Sequence, residues 1–317
     1  MDIIGVGGAN MDLLVQMDEI NLGFKTPMGD FSLQGGGLIA SAMAAAARLG
    51  AKVGMAGAIG DSTFGKMAME DLAMDGVDTS HMIVRKGARD AFGIILAEKK
   101  TMERTILGRQ GTVEPAKFEE LDHDYLVSGK FMFLSTADEL TISCAKLAHE
   151  HGVKVGYDAD GRADPEIFDL IPYLDVFIAS EVWYHNHYGT EENFEKHVRE
   201  IQAMGPEIVV VTLGVRGCVG VDKDGKFFQV PSFRVPVIDT TGAGDIFHGA
   251  FLVGLLQGWS AEQTARFSSA VSAIKCTRLG GRAALPKMET VLKFLETGEI
   301  EYGDIDERVE LFRSRSF

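Results

Sequence analysis

Short apolar runs bounded by glycine alternate with small-residue or amphipathic stretches along most of the chain. Asp2 to Gly7 reads as a buried strand, because Ile3, Ile4 and Val6 are β-formers closed by Gly7-Gly8. Met11 to Gln16 and Met28 to Gln34 predict two short strands, with the turn-rich Asn21 to Pro27 between them. Phe92 to Ala97 and Thr105 to Leu107 predict a hairpin whose polar tip is Glu98 to Glu103. Together these outline a small secondary sheet, a lid with strands over about 11–17, 28–34, 91–97 and 103–109.

Elsewhere the rhythm is strand, helix, strand. Gly37 to Leu49 predicts a helix of small residues ended by Gly50, followed by strand Lys52 to Ile59 and helix Thr63 to Asp75. From residue 130 the expected order is strand Lys130 to Leu134, helix Leu140 to His151, strand Lys154 to Asp158 and helix Pro165 to Ile171. Strand Val176 to Ala179, helix Glu191 to Met204 and strand Ile208 to Leu213 follow, then helices Ala243 to Gln257 and Ala261 to Lys275. Such alternation implies an α/β fold with a mostly parallel sheet covered on both faces. We expect a single domain over 1–297 and a peripheral acidic tail over 298–317.

Composition narrows the function. With 46% apolar and 24% charged residues in 317, the chain has the balance of a globular protein. Its 31 Lys and Arg against 46 Asp and Glu give a net charge of −15, which disfavours nucleic acid and anionic membranes as partners. The longest apolar runs are too short to span a bilayer, and Met1-Asp2-Ile3-Ile4 lacks the basic and apolar regions of a signal peptide. Cys144, Cys218 and Cys276 lie far apart without a CxxC pair, so a reducing, cytoplasmic setting is expected.

One stretch carries chemistry on its own, Asp239-Thr240-Thr241-Gly242-Ala243-Gly244-Asp245. Two glycines and an alanine open a long apolar helix there, and unpaired amides at a helix N-terminus form an anion site. The missing side chains let a phosphate approach the backbone. Asp245 in the first turn is placed to take a proton from a hydroxyl while the amides hold the transferring phosphoryl group. A glycine turn with a helix-capping aspartate would read the same way locally. Beside the dipole, Asp245 is expected to have a depressed pKa.

Other motifs fall short. Gly60-Asp61-Ser62-Thr63-Phe64-Gly65-Lys66-Met67 ends in Met67, where a phosphate-binding P-loop needs a hydroxyl. In Gly5-Val6-Gly7-Gly8-Ala9-Asn10, Asn10 replaces the third glycine of a dinucleotide fingerprint. The His149/His151 and His185/His187 pairs lack the spacing of a zinc site, and no GxSxG occurs. Asn10 and Asp12 just beyond the first strand could bond sugar hydroxyls, and Gly35-Gly36-Gly37 offers close backbone approach.

In this order the residues resemble the ribokinase-like sugar kinases, the phosphofructokinase-B type. The resemblance runs from Gly5 to about Pro286. It rests on Gly36-Gly37-Leu38-Ile39-Ala40-Ser41, Ala47-Arg48-Leu49-Gly50, Gly57 to Gly65, Val211 to Gly217 and, most specifically, Asp239 to Asp245. It implies a three-layer α/β sandwich with a β-sheet lid, and ATP-dependent phosphorylation of a hydroxymethyl group on a sugar or polyol. Asp245 would be the general base, with the amides of Gly242, Ala243 and Gly244 as the anion hole. Asn10, Asp12, Gly36, Gly37 and Ser41 would contact the sugar. Ser180, Thr212, Gly214, Gly217, Gly244 and Ser269 would line the nucleotide side. Mg²⁺ would arrive with ATP, and a K⁺ site would use Asp239, Thr241 and backbone oxygens near Arg278 and Gly280. Homodimers through the lid are common among such kinases.

Two positions depart from the family pattern. Ser41 replaces the asparagine of GGxxxN, and Ser180-Glu181-Val182-Trp183 stands where NxxE is usual. Phe247-His248-Gly249-Ala250 and Lys275 to Ala283 are most similar to sulfofructose kinase, and ketohexokinase-like members share such departures. The asparagine and arginine that grip the sulfonate in that enzyme have no counterpart near Gly108 and Ser135-Thr136, so a neutral sugar, a ketohexose for example, is expected. Arg109 on the lid is the residue placed to meet an anion. A nucleoside kinase, an acidic-sugar kinase and a non-catalytic nucleotide- or sugar-binding regulator are the alternatives.

Overall fold

The computed structural model describes residues 1–21, 23–101, 104–161 and 166–315. Residue 103 of the fourth lid strand, Pro165 at the start of a predicted helix, and the last two residues of the tail lie outside them.

The main sheet is built first from β1 (Ile3–Val6), β4 (Val53–Gly60) and β5 (Asp78–Arg85). It continues through β8 (Phe131–Leu134), β9 (Lys154–Ala159), β10 (Val176–Ser180), β11 (Ile208–Thr212), β12 (Cys218–Val221) and β13 (Phe227–Val230). Their order is β13-β12-β11-β10-β9-β8-β1-β4-β5. Every pairing from β11 to β5 is parallel, and β12 and β13 add an antiparallel edge. β1, β8, β10 and β11 are almost wholly buried apolar runs, as strands covered on both faces must be.

Helices cover both faces. The first core joins the sheet to α1 (Leu38–Arg48) and α2 (Thr63–Met74), and to later helices numbered below. The second core takes up α3 (His123–Leu126), α4 (Glu139–Glu150), α5 (Ile167–Leu170), α6 (Glu181–Tyr188) and α7 (Phe194–Gln202). α8 (Ala243–Leu256), α9 (Ala261–Lys275), α10 (Met288–Thr297) and α11 (Gly303–Arg313) complete the first. This is the expected three-layer sandwich.

The lid is a four-stranded sheet, β3 (Phe31–Gly36), β2 (Asn10–Met17), β6 (Phe92–Glu98) and β7 (Arg104–Arg109), in that order. β3 is shifted toward its C-terminal end relative to the predicted strand, and it ends later because its glycine pair continues the ladder, with Gly36 opposite Asn10. β5, β12, β13, α3, α6, α10 and α11 are not anticipated by the sequence reading.

The C-terminal segment is not peripheral. Ile305, Val309 and Phe312 of α11 are buried in the first core, and Arg308 makes a buried ion pair with Asp75 at 2.6 Å. The segment's acidic residues face solvent, so its composition conceals an amphipathic helix whose inner face closes the core. Among the described residues no helix is long and apolar enough to cross a membrane.

Candidate active site

In open α/β sheets ligands occupy the crevice beyond the C-terminal ends of the parallel strands, the end at which β1 runs into the lid. At its floor α8 begins with Gly242 as its N-cap, held at φ 72°, a left-handed conformation that glycine adopts without penalty. The amide of Ala243 donates to Thr240 O at 3.2 Å. Among the described residues, the amides of Gly242 and Gly244 make no protein hydrogen bond, so two donors of the expected three are left unpaired.

Asp245 sits in the first turn of α8. Its carboxyl is not depressed, as the helix dipole alone would have it, but pushed up to about 7. Burial is the largest cause, and the charges of Asp158 and Asp160 add to it, against a smaller opposing pull from His248 and Arg282. The local dipole is outweighed by burial first, and then by charges that the fold brings from β9 and its following loop.

At the lid base, Asn10 Nδ2 donates to Asp12 Oδ1 at 2.7 Å. A Cβ on Gly36 would stand 2.0 Å from Asp12 Oδ2, so only glycine fits beside this carboxylate. Gly37 follows at φ 96° and starts α1. Asn10, Asp12, Gly36 and Gly37 are thus one cluster. Ser41 is not part of its open surface: it is buried, and its Oγ accepts from Arg282 Nε at 3.2 Å. Arg282, fully buried, also donates through its Nη2 to Gly36 O at 2.6 Å and through its backbone to Gln34 Oε1 at 2.5 Å. It fastens the glycine segment of the lid to the loop after α9. The motif at 275–283 contains it but gives it no role, since an arginine in a glycine-rich loop looks solvent-facing.

Arg109 does not meet the cluster. Register places Asp12, Gln34, Gly93 and Gly108 in one cross-strand row, and Met11, Gly35, Phe92 and Arg109 in the next. Successive rows point to opposite faces of a sheet. Arg109 lines a separate cavity of about 470 Å³ with Leu33, Ser62, Phe64, Met67 and Asp90. A one-residue difference in register decides the matter, and sequence could not supply it. The lid cation that does reach the floor is Arg104, whose Nη1 donates to Thr240 Oγ1 at 2.7 Å. It borders a cavity of about 300 Å³ with Gln16, Asp239 and Thr240.

Of the residues expected on the nucleotide side, Ser180 and Thr212 are register partners at the ends of β10 and β11. Ser180 caps α6, its Oγ accepting from Trp183 N at 3.1 Å, and Thr212 Oγ1 donates to Ala179 O at 3.3 Å. Gly214 and Gly217 turn the chain directly after β11, both with positive φ. Ser269 lies on α9 within reach of Cys218 on β12.

The expected K⁺ ligands come together, but not as a cation site. Asp239 Oδ1 accepts from the amide of Thr241 at 2.9 Å and its hydroxyl at 2.7 Å, and Oδ2 accepts from Gly280 N at 2.8 Å. The backbone oxygen of Asp239 accepts from the ammonium of Lys275 at 3.0 Å. The guanidinium of Arg278, whose backbone rather than side chain is expected to contribute, bonds Asp306 and covers the ring of Tyr302. Each oxygen of Asp239 therefore already faces an N–H or O–H donor, one of them charged, and the set does not fit an alkali ion.

Residues 2–288 match the family described as pfkB family carbohydrate kinase. The chain belongs to that family. It is 28% identical to the ribokinase of Haemophilus influenzae, over 92% of this chain and 97% of that one. It is 27% identical to the 5-dehydro-2-deoxygluconokinase of Clostridium beijerinckii, over 96% of each. The ribokinase structure from Thermotoga maritima superposes with a TM-score of 0.79 at 26% identity, covering 93% of this chain and 99% of that one. The expected closeness to sulfofructose kinase and ketohexokinase is not shown by these relatives.

Proposed function

We propose that this sugar kinase transfers the γ-phosphoryl group of Mg·ATP to a primary hydroxyl of a neutral sugar, with Asp245 as general base. The observation that carries the reading is Asp245 in the first turn of α8, raised to about 7, beside the unpaired amides of Gly242 and Gly244. A carboxylate near neutrality is matched to taking a proton as the hydroxyl attacks. The amides stabilise charge growing on the phosphoryl oxygens while attacking and leaving oxygens stay in line. Mg²⁺ arrives with ATP, a hard ion held by phosphate oxygens and water. Ser180, Thr212, Gly214, Gly217 and Ser269 lie where the adenosine half would rest.

Asp12, paired with Asn10 at the lid base, supports a neutral sugar rather than an acid. Its carboxylate accepts from hydroxyls and repels an anion, and Arg109 faces elsewhere. Burial raises Asp12 above the usual range, against the pull of Arg282 and Asn10. Closure of the lid, with Arg104 reaching Thr240, would exclude water from the transfer. β7 is an exposed edge strand with Ile106 and Leu107 outward, and a lid-to-lid homodimer would cover them. Sedimentation tests that state.

The deciding experiment is ADP release with Mg·ATP across ketoses, aldoses, sugar acids and nucleosides, run beside Asp245→Ala. Turnover on one neutral sugar that vanishes in the variant supports the reading. A preference for acids or nucleosides overturns the substrate class, and nucleotide binding without turnover on any compound favours a regulator.

A further inference from the structure

We propose that the ammonium of Lys275 is a built-in monovalent cation that takes the place of a soluble alkali ion beneath the anion hole, so that turnover does not depend on K⁺. The inference rests on the kinase reading only where turnover is the readout.

Lys275 is the last residue of α9 and is fully buried, an uncommon place for a lysine. Its Nζ lies 3.0 Å from the backbone oxygen of Asp239, six residues before the base and on the same loop. A buried ammonium needs a counter-charge, and the Asp239 carboxylate supplies it. Burial pushes Asp239 up, but Lys275 and the bonds from Thr241 and Gly280 outweigh that and hold the carboxyl below its ordinary value. The carboxylate is therefore held charged beside the lysine.

The same few atoms tie the loops together. Cys276 O accepts from the amides of Ile238 and Asp239 at 2.8 and 3.2 Å, and Gly280 N donates to Asp239 Oδ2. Lys275 thus holds the end of α9 against the segment that leads into Gly242. An alkali ion on that backbone oxygen would face a tethered ammonium at short range in a dry setting, where like charges repel strongly. A cation on this loop would fix its carbonyl oxygens and offset the Asp239 charge. Lys275 does both and cannot diffuse away.

The test measures turnover and the Kd of an ATP analogue by calorimetry in K⁺, Na⁺ and tetramethylammonium chlorides at equal ionic strength. For the unmodified protein, kcat/KM and Kd should agree across the three salts within roughly twofold, since the charge is already in place. Activation by K⁺ of about tenfold or more over tetramethylammonium would overturn the proposal. Lys275→Ala should lose at least about tenfold in kcat/KM in tetramethylammonium and recover part of it in K⁺. A variant as active as the parent in tetramethylammonium would also overturn it. Should Lys275→Ala fail to fold, the salt series on the unmodified protein decides alone. If no sugar is turned over in any salt, the kinase reading fails, and the salt dependence of Kd still decides this one.

Discussion

His248 lies three residues after Asp245 on α8, and its Nε2 is 3.1 Å from Oδ1 of Asp158 at the end of β9, with both side chains buried. Burial pulls the imidazole down, but Asp158, Asp245 and Asp160 outweigh it and raise its pKa. The imidazole therefore bonds one buried carboxyl, Asp158, and draws down the pKa of the other, the proposed base. The remaining Nδ1 is buried without a partner.

This arrangement sets a pH dependence. With Asp245 at about 7, kcat/KM should fall below neutrality along a single acid limb centred near that value. His248→Asn removes the ring that holds the Asp245 value down, so the limb should move to higher pH by about one unit. A steady-state pH profile of both proteins checks this, and an unmoved limb would separate the pair from the base.

Asp245→Ala should keep nucleotide binding and lose about 10²–10⁴ in kcat. Stability should respond in the opposite sense. The folded-state pKa lies above the unfolded value of 3.8, so the folded protein holds that proton more tightly, and stability falls as pH rises through about 7. Asp245→Asn removes the buried charge and should raise Tm at pH 8 by a few degrees, about nothing at pH 4. Thermal melts at the two pH values test the sign.

The two lid arginines should behave differently. Arg104→Ala cuts the tether to Thr240 and should lower kcat/KM several-fold while raising ATP hydrolysis without sugar transfer. Arg109→Ala, on the opposite face, should change kcat/KM by less than about twofold. Equal effects from both would contradict the register-based assignment of faces.

Phe312 on α11 is fully buried between the guanidinium groups of Arg308 and Arg315, whose carbons lie 5.1 and 4.5 Å from its ring centre. Phe312→Ala should cost about 3–5 kcal/mol in urea unfolding. A peripheral tail would leave the midpoint unchanged.

The sequence alone determined the parallel core and the phosphate turn. Strands such as Phe131–Leu134 and Ile208–Thr212 are buried on both faces and so appear as apolar runs, and Gly242-Ala243-Gly244-Asp245 is local. β5 and α6 escaped notice because Asp78–Arg85 and Glu181–Tyr188 are polar enough to read as loop. α11 escaped because its acidic outer face hid Ile305, Val309 and Phe312. Only the tertiary structure decided the face on which Arg109 lies, the burial of Arg282 over Ser41, the meeting of Lys275 with Asp239, and the raised pKa of Asp245. Each depends on register or on charges tens to hundreds of residues apart in sequence. Electrostatic energy sums over distance in space, and the order of residues does not encode that distance.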